Sequence, residues 1–124
     1  MGKVEGHRDL IVWQKSMDLA SEAYRLAQLL PKAEEYRLTS QLLRAAASIP
    51  ANIAEGHARG TRKDYAHFIS IAYGSLAETE TFLELMVNVD LLKGADVALA
   101  RSQCVEVGRM LNALRTRLRQ PLET

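Results

Sequence analysis

RAAASIPANIAEGHARG, residues 44–60, is rich enough in alanine to predict a helix, yet it holds a proline, Pro50, and a glycine, Gly56. It also carries polar residues that a core-filling helix does not need. At 100° per residue Gln41, Arg44, Ser48, Asn52, Glu55 and Arg59 recur at intervals of three and four. They fall in one band roughly 80° wide, which Arg37 joins if the helix starts that early. Most of the remaining girth is apolar or small: Leu38, Leu42, Leu43, the alanines 45–47, Ile49, Ile53 and Ala54. Pro50 withdraws a backbone donor and crowds the carbonyl of Ala46, so a kink is predicted there. Ser48 or Asn52 is placed to satisfy the freed carbonyl.

A helix in a lone bundle buries an apolar stripe only a little over about 100° wide. This one is apolar or small over well more than half its surface, which predicts burial against a further partner, most simply a second copy of the chain. The alanine run and Gly74 would let neighbouring backbones approach closely. A glutamate in place of Ala46 is then expected to dissociate the assembly or unfold the chain. The polar band has two readings, a solvated face or a contact surface. Ser48 and Asn52 favour contact, because a solvated face would carry long helix-formers there. Arg44 and Glu55 lie three turns apart and are set to pair across a contact rather than with each other.

Working outward, the chain divides into four helical segments, over about 9–30, 34–58, 62–92 and 96–119. In the first, Asp9 is a plausible N-cap, and Leu10, Trp13, Met17, Ala20, Tyr24 and Ala27 form the inward line. Val12, Leu19 and Leu26 widen it. The start of the second is open: residues 32–36 either begin the helix or form a turn before Thr39 caps the main run. Gly60 suits a left-handed C′ position and Thr61 an N-cap for the third helix. There Tyr65, Phe68, Ile69, Ala72, Leu76, Leu83 and Met86 point inward. A loop over 93–95 leads to Asp96 as the cap of the fourth helix, whose inward set is Leu99, Ala100, Cys104, Val107, Leu111, Leu114 and Leu118. No segment alternates with period two between turn residues. Short loops between long amphipathic helices imply an all-α, antiparallel up-down-up-down four-helix bundle, a single domain over 1–124.

The bulk properties exclude several classes. No run approaches the roughly 20 apolar residues of a membrane span, and MGKVEGHRDL has no apolar signal core, so no membrane partner is expected. One cysteine, Cys104, precludes an internal disulfide and fits a reducing cytoplasm. The net charge of +1 gives no global argument for nucleic acid. Basic residues do cluster locally, at Arg59, Arg62 and Lys63 and again at Arg115, Arg117 and Arg119.

The segments DLIVWQK (9–15), LTSQLLRAAASIPANIAEGHAR (38–59) and FISIAYGSLAETETFLE (68–84) resemble the bacterial four-helix-bundle family known as 23S rRNA intervening-sequence proteins. The likeness spans roughly 9–92, and its specific part is Q-x-x-R-A-x-x-S-I-P-x-N-I-A-E-G at 41–56. The resemblance implies an up-down bundle assembled as a homopentamer, with no established enzymatic activity. A related branch, the accessory variability determinants of diversity-generating retroelements, implies pentamers that bind nucleic acid and a reverse transcriptase. The shared signature maps onto Gln41, Arg44, Ser48, Pro50, Asn52, Glu55, Gly56 and Arg59.

Catalytic chemistry finds no support in the pattern, and no catalytic, cofactor or metal residues are expected. A di-iron bundle needs Glu-x-x-His on two helices, and none occurs; no His-Glu-x-x-His occurs either. Cys104 reads as a buried structural thiol, Trp13 as an anchor between helices, and Asp64, His67, Glu78, Glu80 and Glu84 as solvated. The expectation is a non-enzymatic oligomeric scaffold, a homopentamer that binds a macromolecular partner. Its interaction surface would be Gln41, Arg44, Ser48, Asn52, Glu55, Arg59, Arg62 and Lys63. The alternative is an RNA- or DNA-binding protein using a basic rim of the oligomer, with RNA or a nucleic-acid-processing protein as partner.

Overall fold

The structure, a computed structural model, describes residues 4–121. Four helices form: α1 (Ile11–Ala27), α2 (Ser40–Ala58), α3 (Arg62–Asn88) and α4 (Gly94–Arg119). Each packs on its neighbours in the cyclic order α1, α2, α3, α4, with α2 against α3 the most extensive pairing. This is the expected antiparallel bundle, and among the described residues there is no strand.

Alternating steps of three and four put one line of each helix inside. The lines are Val12, Ser16, Leu19, Ala23 and Leu26 on α1, and Leu42, Ala46, Ile49, Ile53 and Gly56 on α2. On α3 they are Ile69, Ala72, Leu76, Thr79, Leu83 and Met86, and on α4 Val97, Ala100, Cys104, Val107, Leu111 and Leu114. Wholly burying each leucine, isoleucine or valine contributes roughly 1.5–3 kcal/mol. The hydroxyls in this core are satisfied locally: Ser16 Oγ donates to the Trp13 carbonyl and Thr79 Oγ1 to that of Ser75, each at 2.8 Å.

Of the α1 line expected inside, Ala20 is buried and Leu10 and Trp13 pack against the core, but Met17 and Tyr24 do not join it. Met17 and Tyr24 are 40% and 57% exposed, and Trp13 is half-buried. The neighbouring line through Leu19 and Leu26 is the one that faces the bundle. Two parallel apolar lines on one helix cannot both point at a single axis. Leu99, also expected inside, is exposed, because Val97 and Ala100 take the inward positions of α4.

The helix ends follow local chemistry with several departures from expectation. Asp9 does not cap α1. It closes a short 3-10 turn, His7–Asp9, and its carboxylate accepts from the Glu5 amide at 3.0 Å. Between α1 and α2 the chain takes the turn alternative. A 3-10 turn (Lys32–Glu34) and a wide turn (Glu35–Thr39) break helical dihedrals at Arg37 (φ −114°, ψ −113°). Thr39 precedes α2 but its buried hydroxyl caps nothing. α2 is assigned as one helix with Pro50 inside it, and a departure from helical dihedrals precedes it at Arg37. Asn52 Nδ2 donates to the carbonyl of Ser48, at 2.8 Å, and not to that of Ala46.

Gly60 is left-handed (φ 90°) and Thr61 Oγ1 accepts from the Asp64 amide at 3.1 Å, as the sequence implies. α3 stops at Asn88, earlier than 92, because Asp90 enters the left-handed region (φ 62°). α4 starts at Gly94. Asp96 lies inside its first turn, where the carboxylate accepts from the Lys93 amide at 2.8 Å.

Two glycines behave oppositely. A β-carbon at Gly56 would lie 2.8 Å from Phe68 Cβ and 3.2 Å from the Tyr65 carbonyl oxygen, so α2 and α3 meet there as only glycine permits. At Gly74 nothing lies within 4 Å, so no close helix approach within the chain uses it. Gly56→Ala is expected to destabilise by about 1–3 kcal/mol, since a backbone carbonyl must move. Gly74→Ala is expected to stabilise by up to about 1 kcal/mol through helix propensity. Denaturant titration of both variants checks the sign.

Cys104 is buried as expected. Burial, and then the charge of Glu80, pushes its thiol from the ordinary 9.0 up to about 12. Only the thiolate attacks alkylating reagents. Modification at pH 8 is therefore expected to be absent in the folded protein and rapid in denaturant. The raised value also means that this group's contribution to stability is intact below pH 9 and is lost as pH climbs toward 12. Mass spectrometry after timed iodoacetamide exposure reads the first effect and alkaline denaturation the second.

Candidate interaction surface

The polar band of α2 divides into parts with different fates. Its middle is a seam inside the chain. Ser48 Oγ meets Ser75 Oγ of α3 at 2.8 Å, and Asn52 Nδ2 donates to Ser48 Oγ at 2.8 Å. The Ser48 oxygen has two lone pairs, so either serine can donate in the hydroxyl pair while the amide supplies its proton. Short side chains sit here because the two helices are too close for a glutamate or lysine. Gln41 and Arg44 remain exposed at the mouth of a small cleft of about 180 Å³, across from Glu78 and Phe82 of α3.

Glu55 and Arg44 do not meet. Glu55 instead forms an exposed pair with Arg59, one turn on, at 3.6 Å. Such pairs contribute roughly 0–1 kcal/mol. The Arg59 guanidinium also lies 5.0 Å over the Phe68 ring. The band is thus a helix seam at Ser48 and Asn52 and solvent-facing at Gln41, Arg44, Glu55 and Arg59.

The basic turn after α2 is joined by a partner the sequence did not connect to it, the end of α4. Arg62 Nη2 donates to the Arg117 carbonyl at 2.7 Å, in the last turn of α4, where the same oxygen also accepts the Gln120 amide at 3.3 Å. Arg119 Nη2 donates to Ser70 Oγ at 3.1 Å, and the Arg115 guanidinium lies 4.6 Å over Tyr73. Arg59, Arg62, Lys63, Arg115, Arg117 and Arg119 therefore belong to one end of the bundle. At the same end Tyr65 lies against His57, ring centroids 5.7 Å apart, and burial raises its phenol above the ordinary 10.0.

A third feature was read from the sequence only in part. The displaced line of α1 and the outward alanines of α2 enclose an apolar groove of about 520 Å³, lined by Trp13, Met17, Tyr24, Ala47, Pro50, Ala51 and Ala54 among others. Trp13 is steadied edge-on by His7, 5.1 Å between centroids. The available signal was the doubled apolar line of α1, which a four-helix core cannot absorb. The broad apolar girth of α2 was legible, but not its meeting with Met17 and Tyr24.

Glu84 is not simply solvated. Arg101 of α4 donates to its two oxygens at 2.6 and 2.9 Å, and this bonding holds its carboxyl below the ordinary 4.5. Among the described residues no three histidine, cysteine or acidic side chains gather to hold a metal ion. Among them, too, no helix is long and apolar enough to cross a membrane.

The geometry has a solved counterpart. A crystal structure of a protein of unknown function from the S23 ribosomal protein family of Bacteroides thetaiotaomicron superposes with a TM-score of 0.79 at 26% identity, covering 85% of this chain and 98% of that one. Among curated proteins none matches. The family model described as 23S rRNA-intervening sequence protein matches residues 8–113, which include the α2 signature, the α2–α3 seam and the groove. The chain belongs to the 23S rRNA-intervening sequence protein family.

Proposed function

We propose that the chain is a non-enzymatic scaffold of the cytoplasm that assembles with copies of itself, as a homopentamer, and presents the assembled surface to a macromolecular partner. The observation that carries this reading is the α1–α2 groove. Met17, Tyr24, Ala47 and Ala51 are all exposed along one contiguous apolar strip, on a chain whose own core is already filled. Apolar surface of that kind is the mark of a contact site. The number five rests on the family resemblance alone. The cytoplasm is supported by the single buried thiol.

A second reading, binding of RNA or DNA, is favoured by a different observation: cations from α2, α3 and α4 collect at one end although the net charge is only +1. In an assembly that end would recur in every copy, and weak phosphate contacts would add by multivalency. The Bacteroides protein is placed by its description in a ribosomal protein family, which leans the same way.

Mass in solution tests the first reading. Light scattering is expected to give about five times the 13.8 kDa chain, and a mass of 13.8 kDa would reject assembly. Ala51→Glu, on the exposed strip, is expected to lower the mass while circular dichroism stays helical. Ala46 is fully buried inside its own bundle, so Ala46→Glu is expected to unfold the chain rather than dissociate it. For the second reading, retention on heparin is expected to fall steeply between about 50 and 200 mM salt. Absence of retention at the low end would remove it.

A further inference from the structure

A pocket of about 530 Å³ lies between the start of α3 and the end of α4, lined by Lys63, Ala66, His67, Ser70, Leu118 and Arg119. Its polar lining consists of donors: an ammonium, a guanidinium, an imidazole and a hydroxyl. Asp64, the one acid in the first turn of α3, does not line it. From this lining we infer that the pocket binds a phosphate group.

Three features make it more than a chance meeting of surface cations. Lys63, His67 and Ser70 are spaced by four and three along α3, so they stack on one helix face. Arg62, on an adjacent face, ties the start of α3 to the Arg117 carbonyl at 2.7 Å, which fixes how α3 and α4 meet beside the pocket. Arg119 is already held across the gap by its 3.1 Å bond to Ser70 Oγ. In that bond the serine oxygen accepts, so its own proton is free to be given to a ligand. An anion would thus meet an oriented guanidinium, a flexible ammonium and a hydroxyl donor, with Ala66 and Leu118 as an apolar floor. The first turn of α3 adds the partial positive charge of a helix N-terminus.

The phosphate carrier is either a nucleic-acid backbone or a small free phosphate. The inference rests on the nucleic-acid reading only for the first of these. The test uses the full chain with two probes, inorganic phosphate followed by isothermal titration and a short labelled single-stranded RNA followed by anisotropy. Lys63→Gln combined with Arg119→Gln removes the pocket's lysine and arginine charges, both on exposed side chains. Lys32→Gln combined with Lys93→Gln removes the same charge from the opposite end of the bundle.

The pocket variant is expected to weaken RNA binding about tenfold or more at low salt. It should also lower the slope of log K against log salt by about 1.4, two single-strand phosphate contacts. The opposite-end variant is expected to change neither. Saturable binding of inorganic phosphate that the pocket variant loses supports the site. If phosphate binds in this way while RNA does not, the site stands, its carrier is a free phosphate, and the nucleic-acid reading falls. RNA bound equally by wild type and pocket variant, with no phosphate binding, overturns the site and leaves that reading standing. Silence of the wild type toward both probes at about 50 mM salt overturns both.

Discussion

α2 and α3 run so close near Gly56 that any β-carbon there would collide with Phe68 and with the backbone of Tyr65. Two turns away the same antiparallel register brings Ser48 against Ser75, hydroxyl to hydroxyl at 2.8 Å. This seam governs the rest of the molecule. It explains why the signature segment holds a glycine and short polar side chains where an ordinary surface helix would carry glutamate and lysine. It also turns α2 about its axis so that Ile49 and Ile53 face the bundle, while Ala47 and Ala51 face away.

With α2 held in that orientation, α1 has one core line to contribute, through Leu19 and Leu26. Its larger side chains, Trp13, Met17 and Tyr24, are left at the α1–α2 boundary opposite the small residues of α2. Large groups on one helix facing small groups on the other produce a concave apolar strip rather than a flat surface. The cause of the groove is thus the tightness of a different helix pair. The smallness of Ala47, Ala51 and Ala54 serves an outward shape, since a closer helix contact inside the chain is made at Gly56 and not there.

Charge follows a similar logic of position over total. Arg62 would be one more surface cation if α4 ended elsewhere. Because α4 stops beside the start of α3, its last-turn carbonyl at Arg117 takes the Arg62 guanidinium, and Arg119 comes to rest near Lys63. A chain of net charge +1 can in this way carry a concentrated basic end. The opposite end mixes acids and bases at the turns around Lys32–Glu35 and Asp90–Asp96.

The amino-acid pattern alone determined that the chain makes four helices in an up-down bundle, that Thr61 and Gly60 punctuate the middle, and that α2 bears a polar band opposite a broad apolar girth. These are short-range properties, set by periodicity of three and four and by capping chemistry within a few residues. Tertiary structure decided which of two apolar lines on α1 became core, that Ser48 and Asn52 serve a seam, that Glu55 pairs with Arg59, and that the α4 arginines join the basic turn. Each of these depends on the rotation of one helix about its axis relative to another, or on where two distant helices end. Rotation and end-to-end register are settled by side-chain volumes meeting across the core. Residues far apart in sequence share that interaction, and no local pattern encodes it.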